Sequence, residues 1–316
     1  MARKKFLVII GILLIGAMVA FDGVAETISK KSQTPRRQSV SKNSQKKATQ
    51  KKAVKSRPAK EPQKLVLRSF YSVVEDQRTG EFLVQKNAKT VVPVASITKL
   101  MTAMVVLDAQ MDLQERIVIG QEDIDTLRHS RSRLPVGTRL SREDALLLAL
   151  MASENRAAHA LGRTYPGGLD AFVAAMNQKA RLLGLSQTHF TDPTGLSGKN
   201  VSCAEELATM VDAAYVYPLI REFSTREAAM IQLGHRKRAF RNTNTLVRSS
   251  RWQIGLSKTG FIDEAGRCLV MQAQVAQRPV VIVLLDAQGK QTRFGDANRI
   301  KQWMERQFAA RTSQKG

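Results

Sequence analysis

The run VASITKLMTAM (residues 94–104) sets a lysine one helical turn after a serine, in a stretch that is otherwise apolar or small. Apolar residues continue at helical spacing to Leu107, so the run reads as a helix facing a core. Pro93 places the helix start near Ser96. On that helix Ser96 and Lys99 are i and i+3, neighbours on one face. A charged amine on the buried side is costly unless something uses it. Two explanations stand open. The Lys99 stem covers apolar surface while its amine reaches solvent, or a lowered pKa turns the amine into a base for a hydroxyl that is otherwise a poor nucleophile. A serine at a helix N-terminus also has free backbone N–H groups beside it, which suits a developing oxyanion.

Outward from this run, the flanks read as sheet. LVLRSFYSVV (65–74) and EFLVQK (81–86) are strand-like, joined by the turn DQRTG (76–80). A polar stretch over 108–141, with a turn at LPVG (134–137), leads to EDALLLALM (143–151), apolar on most sides and so a buried helix. Further helices are expected after Asn155, over 169–183, and over 203–217 with a stop at Pro218. The chain then reverts to strands, RWQIGLSKTG (251–260), CLVMQAQV (268–275) and PVVIVLLD (279–286), before an amphipathic helix ANRIKQWM (297–304). This order predicts an α/β fold of the mixed α+β kind: an antiparallel sheet completed by both chain ends and flanked by helices, with an all-helical half between.

The formal charge of +23 over 316 residues is unevenly spread. Arg3, Lys4 and Lys5 precede an apolar run over 6–20 and small residues to Ala25, which predicts a secretory signal over residues 1–25, cleaved after Ala25 or, if uncleaved, kept as an N-terminal membrane anchor. The apolar run is shorter than the ~20 residues of a spanning helix. Residues 26–62 form a basic linker without the apolar content to order itself. From Thr27 to Pro62 it has twelve lysines and arginines against Glu61 alone, and so carries +11 of the +23. Without aromatic interleaving or a nucleic-acid fold signature, the tail points to an anionic wall polymer or membrane surface and not to nucleic acid. Residues 63–316 form the folded, catalytic part. Cys203 and Cys268 either form a bridge or remain buried thiols. No CxxC and no histidine spacing suggests a metal, and no cofactor is expected.

Two further motifs join the first. ASEN (152–155) puts Ser153 and Asn155 at a helix–helix junction, where serine and asparagine are also ordinary capping residues. LSKTGF (256–261) puts Lys258, Thr259, Gly260 and Phe261 in a strand, where an edge lysine is equally ordinary. In this order, SxxK, SxN and KTG form the signature of serine penicillin-recognising enzymes.

The chain resembles the low-molecular-weight penicillin-binding proteins, serine D-Ala-D-Ala peptidases of the S11 class with a β-lactamase/transpeptidase-like fold. The likeness extends through VPVASITKLMTA (92–103), LLLALMASENRAA (146–158), HFTDPTGL (189–196), FRNTN (240–244) and AGRCL (265–269). Glu154 in SEN favours the endopeptidase subgroup over the carboxypeptidases. The resemblance implies that Ser96 attacks the carbonyl between two D-residues, Lys99 takes the proton, and Ser153 relays it to the leaving amine. It implies that Asn155 holds Lys99 or substrate, and that Lys258, Thr259, Gly260 and Phe261 bind substrate. Lys258 would also help to depress Lys99. The amides of Ser96 and Phe261 would form the oxyanion hole, and Arg293 would assist carboxylate recognition. Peptidoglycan stem peptides and crosslinks would be the substrates, β-lactams covalent inhibitors, and the periplasm the compartment. The further β-domain and amphipathic C-terminal anchor of many carboxypeptidases are expected to be absent. No E-x-x-L-N glutamate precedes Lys258, so a long-lived penicilloyl-enzyme is expected, not antibiotic turnover.

Overall fold

A computed structural model describes residues 64–313; the signal and linker expected over 1–62 lie outside the described residues. Strands β1 (Ser69–Asp76) and β2 (Glu81–Lys86) form the first hairpin. After β3 (Val92–Pro93), a single 3-10 turn (Ala95–Ile97) runs into α1 (Thr98–Asp108). Short strands β4 (Arg116–Val118) and β5 (Arg139–Ser141) pair with each other. α2 (Arg142–Met151) follows, and the Ser141 hydroxyl caps it by accepting from the Asp144 amide at 3.0 Å. α3 (Asn155–Arg163), α4 (Gly168–Leu182), β6 (Val201–Ser202), α5 (Ala204–Tyr215) and α6 (Pro218–Thr225) complete the helical half. A second hairpin, β7 (Ala228–Leu233) and β8 (Arg236–Arg241), precedes the long strands β9 (Gln253–Ile262), β10 (Gly266–Val275) and β11 (Arg278–Ala287). α7 (Thr292–Ser313) follows β11.

The main sheet has the order β2-β1-β11-β10-β9 and every pair is antiparallel. The first strand thus pairs with the last, as expected from the flanks. Alternation along β11 explains why: Val281, Val283 and Leu285 face the core shared with the helical half, while Val280, Ile282 and Leu284 pack under α7 with Phe294, Ala297, Ile300 and Met304. Each such side chain, fully buried, contributes roughly 1.5–3 kcal/mol. β9, bearing KTG, is an edge strand, and that edge faces the helical half.

Several boundaries differ from the sequence expectation. Residues 65–68 lie outside the β1 ladder; where the ladder begins, Asp296 of α7 takes the backbone amides, Arg68 N donating to Oδ1 at 3.0 Å and Ser69 N to Oδ2 at 2.7 Å. Pro218 ends the expected helix but also opens α6 as its first residue, where its missing N–H costs nothing. α6 and the β7–β8 hairpin were not expected at all. Cys203 and Cys268 are free and buried, so the bridge alternative falls away.

Candidate active site

Ser96 sits in the 3-10 turn, not in α1 itself. The cause lies in its neighbour: Ala95 has φ 49°, a left-handed conformation unusual for alanine, and helical geometry begins only after it. Gly195 is packed hard against this turn, since a Cβ there would fall 1.9 Å from the Ala95 carbonyl oxygen. Gly260 of β9 closes in from the other side, where a Cβ would fall 3.1 Å from the Ser96 amide nitrogen. Two glycines therefore let two backbones converge on the serine.

Behind the serine, α1 is buried on every side from Thr98 to Val106. Lys99 has no route to water and is 0 % exposed. Its amine has three close partners: Ser96 Oγ at 2.8 Å, Asn155 Oδ1 at 2.8 Å and the Thr194 carbonyl at 2.6 Å. A neutral amine has two hydrogens and one lone pair. The two hydrogens satisfy Asn155 and Thr194, which accept only, and the lone pair is left for the Ser96 hydroxyl to donate into. Burial lowers the Lys99 pKa to about 7, against the opposing pull of Asp192, Glu154 and Asp125. Burial, and not the second lysine, is thus the first cause of its depression.

The second serine is also at a strained position. Ser153, between α2 and α3, has φ 57°. Its hydroxyl accepts from Lys258 Nζ at 2.8 Å. Lys258, 1 % exposed, also donates to the Thr259 carbonyl at 2.8 Å. Its pKa is lowered by burial, with repulsion from Lys99 and Arg293 adding to it. Two buried amines that repel each other do not both hold a full charge. Asn155, first residue of α3, is fixed at both ends, because its amide nitrogen donates to Ser130 Oγ at 2.9 Å. Thr259 Oγ1 donates to Thr243 Oγ1 at 2.6 Å. Arg293 is buried and reaches the Gly260 carbonyl at 3.2 Å; burial and the neighbouring Arg267 lower its pKa to about 10.

A cleft of about 680 Å³ opens over these groups. Ser96, Ser153, Asn155, Thr259, Gly260, Phe261 and Arg293 all line it. Lys99 and Lys258 lie beneath its floor, reached through the two serine hydroxyls. Every site residue expected from the sequence therefore converges on one place. Glu154 does not line the cleft: it is 7 % exposed and accepts from Ser132 Oγ at 2.7 Å and from the Arg133 amide at 3.2 Å.

Several contributors were not foreseen. Thr194 acts through a backbone carbonyl. Asp192 holds that carbonyl in place: its Oδ1 accepts from the Thr194 amide at 2.6 Å and the Gly195 amide at 2.8 Å. Asn200, wholly buried, ties this turn to α1 by donating to Thr98 Oγ1 at 3.0 Å and to the Asp192 carbonyl at 2.9 Å. The turn signal D-P-T-G was in the sequence, but it names a turn and not its target. Among the described residues no cluster of histidine, cysteine or acidic side chains could hold a metal ion.

A hydroxyl at a tight turn, an amine of near-neutral pKa one turn on, and close-packed backbone amides define a serine hydrolase that uses lysine where others use histidine. Comparison with known proteins narrows this. Residues 56–289 match the Peptidase_S11 model, described as D-alanyl-D-alanine carboxypeptidase. The D-alanyl-D-alanine endopeptidase of Pseudomonas aeruginosa is 48% identical over 246 residues, covering 77% of this chain and 79% of that protein. The D-alanyl-D-alanine endopeptidase of Escherichia coli is 43% identical over 249 residues, covering 78% and 79%. Among solved structures, the Streptomyces K15 DD-transpeptidase superposes with a TM-score of 0.70 at 27% identity, covering 75% of this chain and 97% of that one. The chain belongs to the S11 peptidase family, the penicillin-binding D-alanyl-D-alanine peptidases, and is a hydrolase.

Proposed function

We propose that the protein is a D,D-endopeptidase that cuts the peptide crosslinks of peptidoglycan through an acyl-enzyme on Ser96. The observation that carries this reading is the Lys99 amine, buried, near neutral, and 2.8 Å from the Ser96 hydroxyl. Neutral Lys99 takes the Ser96 proton as the oxygen attacks the D-alanyl carbonyl. The Ser96 amide, beside Gly260, and the Phe261 amide receive the developing oxyanion. The proton now on Lys99 is relayed by way of the Ser153 hydroxyl to the departing amine, the C–N bond breaks, and the D-alanyl ester of Ser96 remains with Lys99 neutral again. Water then adds to the ester, giving up a proton to Lys99, and the serine leaves with its hydrogen restored. Lys258, Thr259 and Arg293 hold the substrate carboxylate, and Asn155 fixes Lys99. A β-lactam enters the same path and stops at the ester.

The endopeptidase assignment is supported by the two relatives at 48% and 43% identity, both named endopeptidases. The D-alanyl-D-alanine carboxypeptidase DacF of Bacillus subtilis, 29% identical, favours removal of a terminal D-alanine as the second reading. Digestion of purified sacculi with mass analysis of the products separates them. Conversion of crosslinked dimers to monomers is expected; loss of one D-alanine from pentapeptides with dimers intact overturns the assignment. No change on digestion, with Ser96→Ala identical to wild type, would favour a non-catalytic wall-binding module. We place the protein in the periplasm, with the basic linker over 26–62 as a tether to anionic wall or membrane surface. Deleting 27–62 should weaken sacculus retention and its salt dependence; equal salt dependence with and without the segment removes that role.

A further inference from the structure

The β7–β8 hairpin has no part in the mechanism above, yet it leads into the cleft. β8 ends at Arg241, and two residues later Thr243 lines the cleft and accepts from Thr259. The Thr243 amide also donates to the Met151 carbonyl at 3.1 Å, pinning this end of the hairpin beside the α2–α3 junction. The other anchor is Arg133. It donates to the Ala239 carbonyl at 3.2 Å, receives a bond from Arg238 at 2.8 Å, stacks 4.3 Å over the Phe240 ring, and pairs with Glu154. Glu154 lies between Ser153 and Asn155 in the chain, so the hairpin and the catalytic junction share one support.

The charge on this hairpin is one-sided. The segment AAMIQLGHRKRAFR (228–241) contains no acid. Cross-strand partners of the basic residues are uncharged: Arg236 faces Leu233, Lys237 faces Gln232, and Arg241 faces Ala228. All three are exposed, and among the described residues none has a side-chain hydrogen bond or a carboxylate partner. Lysine on a hairpin edge has a bland role in blocking edge pairing, but three unpartnered cations on a strand that runs into the cleft exceed what that needs. On the outer face Met230, 60 % exposed and opposite Ala239, lies between Lys237 and Arg241, while Arg236 flanks the turn on the Phe240 face.

We infer that the β7–β8 hairpin is a docking surface for the peptidoglycan strand on either side of the bond being cut, its cations pairing with the free carboxylates of neighbouring stem peptides. At ~3.3 Å per residue a six-residue strand is about 20 Å long. This rests on the crosslink-cleaving reading. It adds that polymeric substrate is distinguished from small peptide by charge outside the catalytic groups.

The test uses the full chain with Arg236→Gln, Lys237→Gln and Arg241→Gln combined, and a control with Arg236→Lys and Arg241→Lys. Turnover is compared on crosslinked glycan oligomers and on a short crosslinked peptide without glycan. At low ionic strength the Gln variant should lose about tenfold in kcat/KM on oligomers, mostly through KM, and stay close to wild type on the short peptide. The gap should close near ~0.5 M salt, where the screening length is a few ångströms, and the Lys control should match wild type. Equal kcat/KM on oligomers overturns the proposal, as does an equal loss on both substrates, which would mean a structural role. Weaker retention on anionic lipid vesicles with oligomer turnover unchanged also overturns it, in favour of a membrane contact. If wild type cuts neither substrate, the crosslink reading has failed instead. Binding of labelled oligomers to the penicillin-acylated enzyme then still reads the hairpin: weaker binding by the Gln variant supports it, and unchanged binding does not.

Discussion

The two sides of the cleft each bury a lysine, and they use it differently. On the helical side Lys99 stands among acceptors with three acids at a distance; on the sheet side Lys258 stands among cations. Both amines lose their ordinary basicity to burial. What differs is the surroundings: Asp192, Glu154 and Asp125 hold Lys99 near neutrality against that burial, while Lys99 and Arg293 drive Lys258 further down. A lysine becomes a base at neutral pH when burial is partly offset, not when it is maximal. The same contrast applies to the backbone. Ala95 and Ser153, both at positive φ, deliver the two hydroxyls from the helical side, whereas β9 approaches as a regular strand with Gly260 making room.

Substitutions can break this contrast at successive points. Ser96→Ala removes the one group both sides serve; penicillin adduct formation and crosslink hydrolysis should fall by about 10⁵-fold or more with the fold intact. A variant that retains an adduct would place the nucleophile elsewhere. Lys99→Arg keeps the charge but cannot shed it, so about a thousandfold loss in acylation rate is expected. Near-normal acylation would show that charge alone suffices. On the sheet side, Lys258→Gln should cost about a hundredfold in kcat/KM, since it removes the amine that donates to Ser153 and to the Thr259 carbonyl but leaves the proton acceptor. If it proves as severe as Lys99→Arg in stopped-flow acylation, the division of labour is wrong. The smallest effect is expected from Asp192→Asn, about tenfold, from loosening the turn that aims the Thr194 carbonyl. Because the Asp192 charge raises the Lys99 pKa, its loss should also move the rise of acylation to lower pH. A shift to higher pH would contradict the assigned sign.

Much of this was readable from the chain, though unevenly. The near-continuous apolar runs at 268–275 and 279–286 placed the centre of the sheet, because burial on both faces leaves apolar residues at almost every position. The site side chains were readable because the chemistry needs a hydroxyl, an amine and a hydroxyl–amide pair at fixed spacings, and only side chains carry such an identity. Thr194 escaped because its working atom is a carbonyl oxygen that any residue could supply. Ser130 escaped because it lies 25 residues from Asn155 in a loop held by Asp125, whose carboxylate accepts the Leu127, Arg128 and Ser130 amides. The β7–β8 hairpin lacks the alternating apolar pattern, since its outer face is open to solvent. Glu154, which pointed to the endopeptidase subgroup, has its side chain on the loop at 132–133, a placement that the sequence did not reveal.

The central claim is that uncharged Lys99 accepts the serine proton, and the pH dependence of acylation tests it most directly. With a labelled penicillin and rapid quenching, the second-order rate constant should climb with pH and level off, with its midpoint near the Lys99 pKa of about 7, because the neutral fraction of the amine grows across that range. A rate constant that is flat from pH 5 to 9, or that begins to climb only toward the ordinary lysine range near ~10.4, would contradict it.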